Sequence, residues 1–308
     1  MEPAPQRNLE LEAAAFADLA DLDSWRVFAD WLLSTGDPRG EIANLAVHHG
    51  EAFLSERKAM AARIRELERP FVDAWHEWAQ DRDLVDVEVE FKRGFAHGIG
   101  GSLTQLRPVI DELFERDPIQ RLTLYDVEGD ALMDLFERNP RWAKRLRYLK
   151  LRGHVDELAA AALTLVDLPA LRRLNLLGTS IDAAACARLA GLGTQTLEGL
   201  TLTANLINKE ALAALLESPT RGQWRELYLS DNMLGADAVR MLAEDRELAL
   251  TRLHMARIDV GIEAFAALTE PTVLPTLRHL ELPNIGYWQH QALLEQLRER
   301  FGAGLRLS

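Results

Sequence analysis

Leucines recur at fixed positions along the chain from residue 119 onward, in a six-residue pattern that reads L-x-x-L-x-L. The pattern occurs seven times, with 25 to 27 residues from one frame to the next. The fourth residue is leucine in every frame, and the sixth is leucine in all but one, where Met255 stands. Alternating apolar positions of this kind predict one short, half-buried strand in each frame. The frames begin at Ile119, Leu146, Leu171, Leu197, Trp224, Leu250 and Leu277.

A stretch with helical periodicity follows the strand in several frames. Alanine and leucine fall at i, i+3 and i+4 intervals there, which predicts a helix with one apolar face. Consecutive strands joined through helices run parallel, so the frames predict a parallel sheet covered by helices on one side. The clearest predicted helices span residues 182–192, 208–216, 235–242 and 261–268.

A sustained period of about 20–29 residues with this motif is typical of a leucine-rich repeat solenoid. The predicted fold class is therefore α/β: a solenoid with parallel strands on its concave side and helices on its convex side, joined to a small all-α N-terminal domain. The predicted domains are an acidic helical domain at 1–82, a capping hairpin with the first convex helix at 83–118, and the repeat array with a C-terminal cap at 119–308.

The ninth residue of a frame is expected to be an asparagine, because its buried amide can bond the backbone where the chain leaves the strand. Asn205 and Asn232 fit that role, and Thr179 is a shorter substitute. A ladder of such side chains is therefore predicted in the three middle frames only. The ninth residues that do not fit are Val127, His154, Ile258 and Ile285.

Both ends of the array carry segments that predict caps. Residues 85–91 alternate and are followed by Lys-Arg-Gly, which predicts a hairpin over the first edge of the sheet. The glycine-rich residues 98–101 are expected to turn the chain out of that hairpin, and residues 103–114 to form the first convex helix. At the other end, residues 302–308 predict a further strand after a helix at 288–301.

The N-terminal 80 residues show helical periodicity and hold four of the seven tryptophans. A helix around residues 24–33 is expected to end at Gly36, and Asp37 with Pro38 to begin the next helix, which is predicted to run to about Arg69. The string GDPRGE is thereby interpreted as a tight helix–helix turn. The four tryptophans are Trp25, Trp31, Trp75 and Trp78.

Residues 25–45, WRVFADWLLSTGDPRGEIANL, resemble the repeat-companion domain, a short helical module at the N-terminus of bacterial leucine-rich repeat proteins. That module reads R-L-x-Y/F-A-D-W-L followed by G-D-P-R-G-E. The resemblance implies a companion-plus-repeat architecture over nearly the whole chain, and it implies no particular activity. The matching residues are Arg26, Val27, Phe28, Ala29, Asp30, Trp31, Leu32, Gly36, Asp37, Pro38, Arg39, Gly40 and Glu41.

The net charge of −13 is concentrated in the N-terminal part: residues 1–90 hold 9 basic and 20 acidic residues, and residues 91–308 hold 26 and 28. This balance argues against general nucleic-acid binding by the whole chain. No run of 18 apolar residues occurs, so no membrane span is expected. Because the first residues lack an apolar signal core, the expected location is cytoplasmic.

No residue constellation predicts catalysis, a cofactor or a metal, so an enzymatic function is not expected. Cys186 lies in a small-residue helix, DAAACARLA, and is interpreted as a buried apolar residue rather than a nucleophile. The adjacent His48 and His49 would diverge on a helix, and no H-E-x-x-H or Cys/His cluster occurs.

The third, fifth and seventh residues of the frames are predicted to point away from the core, and we call this set the ridge face. It is rich in tyrosine and arginine, which are enriched at binding hot spots. A solenoid would present the ridge face on its concave side, so a protein partner of unknown identity is expected there. The residues predicted to contact it are Arg121, Tyr125, Tyr148, Lys150, Arg152, Arg173, Asn175, Tyr228, Arg252, His254, His279 and Glu281.

Two other interpretations remain open. In the first, the chain is a regulator or adaptor that binds through its helical N-terminal domain. In the second, residues 138–152, which include seven basic and no acidic residues, bind nucleic acid or an acidic partner. The purely structural interpretation is that residues 138–152 form an ordinary loop and strand edge, whose positive charge is neutralised by acidic residues of the same chain. The ridge face is preferred because solenoids generally bind through it.

Overall fold

The computed structural model describes residues 7–49, 53–284 and 290–308. Within these ranges the fold is α/β, with ten strands that are mostly parallel. The chain forms two compact units: Met1–Gly101 with Pro108–Gln120, and Ser102–Arg107 with Arg121–Ser308. Two positions singled out in the sequence, Ile285 and Trp288, lie outside the described residues.

The first unit is mainly helical. It contains α1 (Leu9–Ala17), α2 (Leu22–Ser34), α3 (Arg39–His49), α4 (Leu54–Gln80), β1 (Glu88–Lys92), β2 (Phe95–Ser102) and α6 (Ile110–Arg116). The short helix α5 (Leu103–Leu106), which lies between β2 and α6 in the sequence, belongs to the second unit. Strands β1 and β2 pair antiparallel, so the predicted hairpin is present, with its turn at Arg93 and Gly94.

Aromatic side chains form the centre of the first unit. The Phe16 ring lies 4.8 Å from Trp25 and 5.6 Å from Phe95, both edge to face. Phe28 stacks on Phe95 at 5.6 Å. All four rings are buried, so the helices α1 and α2 and the hairpin share one core.

The turn between α2 and α3 follows the prediction for GDPRGE. Gly36 adopts a φ of +77°, the left-handed conformation that ends a helix. The Asp37 carboxylate then accepts the backbone N–H of Arg39 at 2.9 Å, which caps α3. The string is thus explained as a helix–helix turn.

Three sequence predictions in this region are wrong. The helix predicted to run to Arg69 ends at His49, and α4 is a separate helix that begins after Phe53. The predicted helix at 103–114 is two helices, because Pro108 between them lacks a backbone N–H and clashes with the preceding turn. The glycines at 98–101 lie in β2, where Gly98 and Gly100 pair with β1, and do not form a turn.

The second unit alternates strands and helices. Its strands are β3 (Arg121–Val127), β4 (Tyr148–Gly153), β5 (Arg173–Asn175), β6 (Gly199–Thr201), β7 (Glu226–Tyr228), β8 (Arg252–His254), β9 (His279–Leu282) and β10 (Leu305–Leu307). Besides α5, its helices are α7 (Gly129–Phe136), α8 (Glu157–Leu165), α9 (Ala183–Ala190), α10 (Lys209–Leu216), α11 (Ala236–Glu244) and α12 (Gln291–Phe301). Short 3₁₀ helices span Arg141–Arg145, Arg221–Gln223, Ile262–Thr269 and Gly302–Gly304.

The strands of the second unit are parallel and stand in chain order. The fourth residues of successive frames pair with one another, as Leu174 does with Leu149 and Leu200. These leucines are buried, and so are the sixth residues of the frames. Neighbouring helices from α7 to α11 also pack in chain order, so a layer of helices accompanies the sheet.

The predicted asparagine ladder is present. The Asn205 Nδ2 donates to the carbonyls of Leu176 and Leu202, and its Oδ1 accepts the N–H groups of Thr179 and Ile181. Asn232 makes the same set of bonds one frame later. Thr179 is also buried and donates to Leu176. The ladder therefore ties the turns of three consecutive frames together.

A second regularity lies at the eighth residue of the frame. Six of the seven eighth residues have positive φ angles: 54°, 129°, 66°, 57°, 55° and 49°. Each strand thus leaves the sheet through a left-handed residue, although only two of these six are glycine. The residues are Asp126, Gly153, Gly178, Ala204, Asp231 and Arg257.

The C-terminal part of the second unit corrects one prediction and confirms another. The helix predicted at 261–268 is a 3₁₀ helix, Ile262–Thr269, whose first turn closes with the Ala264 N–H on the Gly261 carbonyl at 3.1 Å. The predicted last strand is β10, which pairs parallel to β9 through Leu305 and Leu280. No helix in the described ranges is both long and apolar enough to cross a membrane.

Candidate binding face

The ridge face is built by the register of the parallel strands. The third residues of successive frames pair in one row, from Arg121 and Tyr148 to Arg252 and His279. The fifth residues form the next row, which ends with Glu281 beside Arg306 of β10. Each side chain of the ridge face therefore lies beside its equivalent from the next strand, about 4.8 Å away along the sheet.

One group of contacts joins β3, β4 and β5. The Arg121 guanidinium lies over the Tyr148 ring, 4.1 Å from its centroid. The Asn175 Nδ2 donates to the Tyr148 hydroxyl at 3.3 Å, and the Asn175 Oδ1 accepts the backbone N–H of Leu177. These bonds fix the tyrosine ring between an arginine and an amide from the two neighbouring strands.

The next two cations on this side are Lys150 and Arg152, on β4. The Arg152 guanidinium lies over the Tyr125 ring of β3, 5.4 Å from its centroid. Among the described residues neither Lys150 nor Arg152 makes an ion pair. Both positive charges are therefore available at the surface.

A second group joins β5, β7 and β8. Arg173 makes a two-pronged ion pair with Glu226, with both nitrogen–oxygen distances at 3.2 Å. The Tyr228 hydroxyl donates to the Oε2 of the same carboxylate at 3.3 Å. The Arg252 guanidinium donates to Tyr228, which raises the pKa of Arg252. The Glu226 side chain is 17% exposed and that of Arg173 is 56% exposed, so the arginine remains open to solvent.

His254 continues this group toward the end of the sheet. Its ring lies 4.4 Å from that of Tyr228, and its Nδ1 lies 2.7 Å from the Glu281 carboxylate. The Ser308 hydroxyl donates to the same carboxylate at 2.6 Å. The ridge face between β5 and the C-terminus is thus one connected set of polar contacts.

Burial of the imidazole lowers the pKa of His254 below its ordinary value of 6.5, and Glu281 opposes that shift only in part. At neutral pH the ring is therefore uncharged and donates its Nδ1 proton to Glu281. The unfolded chain takes up the proton more readily than the folded chain. The contribution of His254 to the free energy of unfolding is therefore fully present above pH 6.5. It is lost as the pH falls toward the lowered pKa of the folded chain.

The change His254→Gln is expected to make the unfolding free energy less dependent on pH between 7.5 and 5.5, because glutamine does not titrate. Urea unfolding of both proteins at several pH values measures this, and the other titrating groups cancel in the difference. Parallel curves for the two proteins would show that His254 contributes nothing to the pH dependence.

The basic residues at 138–152 do not form a single patch of free charge. Lys144 makes an ion pair with Asp167 at 3.1 Å. On β4 the buried Leu149 and Leu151 alternate with Lys150 and Arg152, which belong to the ridge face. Of the seven basic residues in this segment, only Lys150 and Arg152 are among the residues predicted to contact a partner.

Cys186 is fully buried in α9, as the sequence predicted. Its burial and the nearby Asp182 raise the pKa of the thiol to about 12, so the thiolate is not formed at neutral pH. Among the described residues no group of three or more His, Cys, Asp or Glu side chains is placed to hold a metal ion.

Three exposed apolar side chains, one at a seventh and two at tenth residues of the frames, were not singled out from the sequence. Leu177 is the seventh residue of its frame and is 42% exposed. Leu206 and Met233 are the tenth residues of the next two frames, at 51% and 69% exposed. We call these three residues the apolar rim. Comparing the tenth residue between frames would have found two of them.

In the first unit, Asp37 and Arg39 of GDPRGE are occupied by internal contacts. The Arg39 guanidinium donates to the Asp37 carboxylate, with Nε 3.0 Å from both oxygens. The same guanidinium lies over the Phe95 ring, 4.4 Å from its centroid. Both ionic side chains are mostly buried, so they serve the fold of this unit rather than a free surface.

No protein-family model matches this chain, and no curated protein matches it either. A proposal for the function therefore rests on the contacts of the ridge face and on the regularity of the frames.

Proposed function

We propose that this protein is a leucine-rich repeat solenoid that binds a partner protein on its ridge face and carries out no catalysis. The observation that carries the proposal is the row of tyrosine and arginine side chains held in place by contacts between successive strands. Such residues, when fixed before binding, lose little conformational freedom on association.

The solenoid assignment is supported by three regularities with the same period. The frame leucines are buried strand after strand, the ninth residues form an amide ladder, and the eighth residues are left-handed. Each frame packs its strand and helix against those of the neighbouring frames, as in a repeat array. We also propose that the helical N-terminal segment is a repeat-companion domain and that the protein is bacterial and cytoplasmic.

The size of the ridge face suits a protein partner. Seven strands about 4.8 Å apart span on the order of 30 Å. An interface of standard size covers about 800 Å² on each partner, which a face of this width accommodates. The alternative, binding through the helical N-terminal domain, has less support because Asp37 and Arg39 are used internally.

The test is a binding measurement with the partner obtained by affinity capture from the native organism. The combined change Tyr228→Ala, Arg173→Ala and Arg252→Ala is expected to weaken binding by at least about 100-fold, since each hot-spot residue contributes about 1–2 kcal/mol. Titration calorimetry with the purified partner measures the dissociation constants.

The matched control removes two arginines and one large side chain elsewhere: Arg188→Ala, Arg240→Ala and Leu165→Ala, all exposed on helices. This variant is expected to bind as tightly as the unchanged protein. Equal binding by the ridge-face variant rules out the ridge face. A loss with Val27→Asp and Leu33→Asp instead, both exposed on α2, would favour the N-terminal alternative.

A further inference from the structure

Positive charge is concentrated at one end of the ridge face. The ridge positions of strands β3 to β5 and of the residues directly after them hold four cations and no acidic residue. The nearest acidic residues in sequence, Asp126, Glu128 and Asp156, occupy frame positions eight to eleven, beyond the ridge positions. The four cations are Arg121, Lys150, Arg152 and Arg173.

The acidic residues of the ridge face are already engaged at its other end. Glu226 is bound by Arg173 and Tyr228, and Glu281 by His254 and Ser308. Lys150 and Arg152, by contrast, make no ion pair among the described residues. A partner that supplies carboxylates over β4 therefore gains charge–charge interactions that the chain itself does not satisfy.

Exposed apolar residues follow the basic residues in the frame order. Leu177 is the seventh residue of its frame, as Arg152 is of the frame before, and Leu206 and Met233 belong to the next two frames. Single exposed apolar residues are common on protein surfaces, but Leu206 and Met233 stand at the same position of two consecutive frames, directly after the frame of Leu177. A partner that fits both features carries large apolar side chains as well as negative charge.

The tyrosines argue against nucleic acid as the occupant. Proteins that bind single strands offer open aromatic faces on which bases stack. Here Tyr148 is covered by Arg121 and Tyr125 is approached by Arg152, at 4.1 and 5.4 Å. The apolar rim also has no counterpart in a phosphate backbone. The same cations suit the carboxylates of a peptide.

We propose that the ridge face from β3 to β7 recognises an acidic segment of a partner protein that also carries large apolar side chains. This inference rests on the proposed function of the ridge face. Five strands at about 4.8 Å span about 19 Å, which an extended segment of about six residues covers. Acidic side chains lie over Lys150 and Arg152, and apolar ones contact Leu177, Leu206 and Met233.

The test is a selection of random 12-residue peptides displayed on phage against the full chain, followed by titration of the enriched peptides. The expected consensus combines Asp or Glu with Leu, Ile, Phe or Met. The variant Lys150→Glu with Arg152→Glu is expected to bind these peptides at least tenfold more weakly, and Leu177→Ser with Met233→Ser is expected to weaken them too. Circular dichroism and thermal melts check that each variant folds.

The matched control is Arg138→Glu with Arg141→Glu, two exposed arginines of the same basic segment that are not on the ridge face. It is expected to leave peptide binding within twofold. A loss as large as that of the Lys150 and Arg152 variant would show that the basic segment as a whole acts as a charge attractor, and would overturn the inference.

Other outcomes separate this inference from the proposed function. Enriched peptides that are basic or uncharged, yet still lose binding with the Tyr228, Arg173 and Arg252 variant, overturn the inference and leave the proposed function standing. Peptides unaffected by every ridge-face variant contradict both. No enrichment over the bare support counts against the inference.

Two further measurements address other occupants. Tighter binding of a 20-nucleotide poly-U RNA than of any peptide, with affinity falling steeply with salt, assigns the cations to nucleic acid and overturns the inference. Concentration-dependent self-association in sedimentation velocity, lost with Lys150→Glu and Arg152→Glu, would make a second copy of this chain the occupant, with the same consequence.

Discussion

Replacing Asn205 with alanine is expected to lower the free energy of unfolding by about 3 kcal/mol, because the side chain bonds four buried backbone groups. Its Nδ2 donates to the carbonyls of Leu176 and Leu202 at 2.8 and 3.0 Å. Its Oδ1 accepts the N–H groups of Thr179 and Ile181, each at 3.0 Å. Alanine leaves these four backbone groups without this hydrogen-bond partner, in the buried turn that follows the strand. Urea unfolding followed by circular dichroism measures the change.

Asn208→Ala, in the same frame, is the control for this prediction. The Asn208 side chain accepts a single bond, from the Ala211 N–H at 2.9 Å, and caps α10. Loss of a cap costs about 1 kcal/mol, so this variant is expected to be clearly more stable than Asn205→Ala. Equal losses from the two substitutions would mean that the ladder adds nothing beyond one ordinary hydrogen bond.

Gly153→Ala is expected to cost about 2–4 kcal/mol, through a backbone clash and a disfavoured conformation. Gly153 has a φ of +129°, which L-residues rarely adopt. An added Cβ would lie 2.5 Å from the Val127 nitrogen and 2.7 Å from its carbonyl oxygen, so the turns of two successive frames would have to separate. Chemical unfolding measures the loss, and the thermal midpoint should fall with it.

The matched substitution is Gly193→Ala. No atom lies within 4 Å of the position that its Cβ would take, and its φ is not in the left-handed region. The expected change is within about 0.5 kcal/mol, with a gain where alanine restricts the unfolded chain. If Gly153→Ala were as mild as Gly193→Ala, the close stacking of successive turns would be refuted.

The strands and the ladder were predictable because their signals are local and repeated. Leucine at the fourth residue of every frame fixes both the strand and its inward face, and the structure places those leucines in register. Asn205 and Asn232 stand at one frame position, and their burial follows from the same turn. Repetition makes such signals strong, since each frame tests the others.

Single interruptions were harder to predict from the sequence. Gly98, Gly100 and Gly101 suggested a turn, but all three lie in the extended strand β2, where Gly98 and Gly100 pair with β1. Propensity is a weak guide where tertiary pairing supplies the hydrogen bonds. Pro108 divided a predicted helix in two, a break that its missing N–H explains and that helical periodicity alone concealed.

The side-chain contacts of the ridge face could not be predicted from the sequence. The frame gave the rows in which Arg173, Glu226 and Tyr228 stand, but Arg173 reaches across β6 to Glu226 because Gly199 lies between them. Which cation pairs and which stays open, as Lys150 does, depends on side-chain reach and on neighbours from other strands. The sequence therefore predicted the residues of the face and could not predict their pairing.

Hydroxyl-radical footprinting of the full chain, with and without its partner protein, tests whether the ridge face is the binding surface. We expect Tyr148, Tyr228 and Met233 to lose reactivity in the complex, while the exposed Phe53 and Val27 keep theirs. Protection of Phe53 and Val27 with unchanged reactivity on the ridge face would show that the partner binds elsewhere.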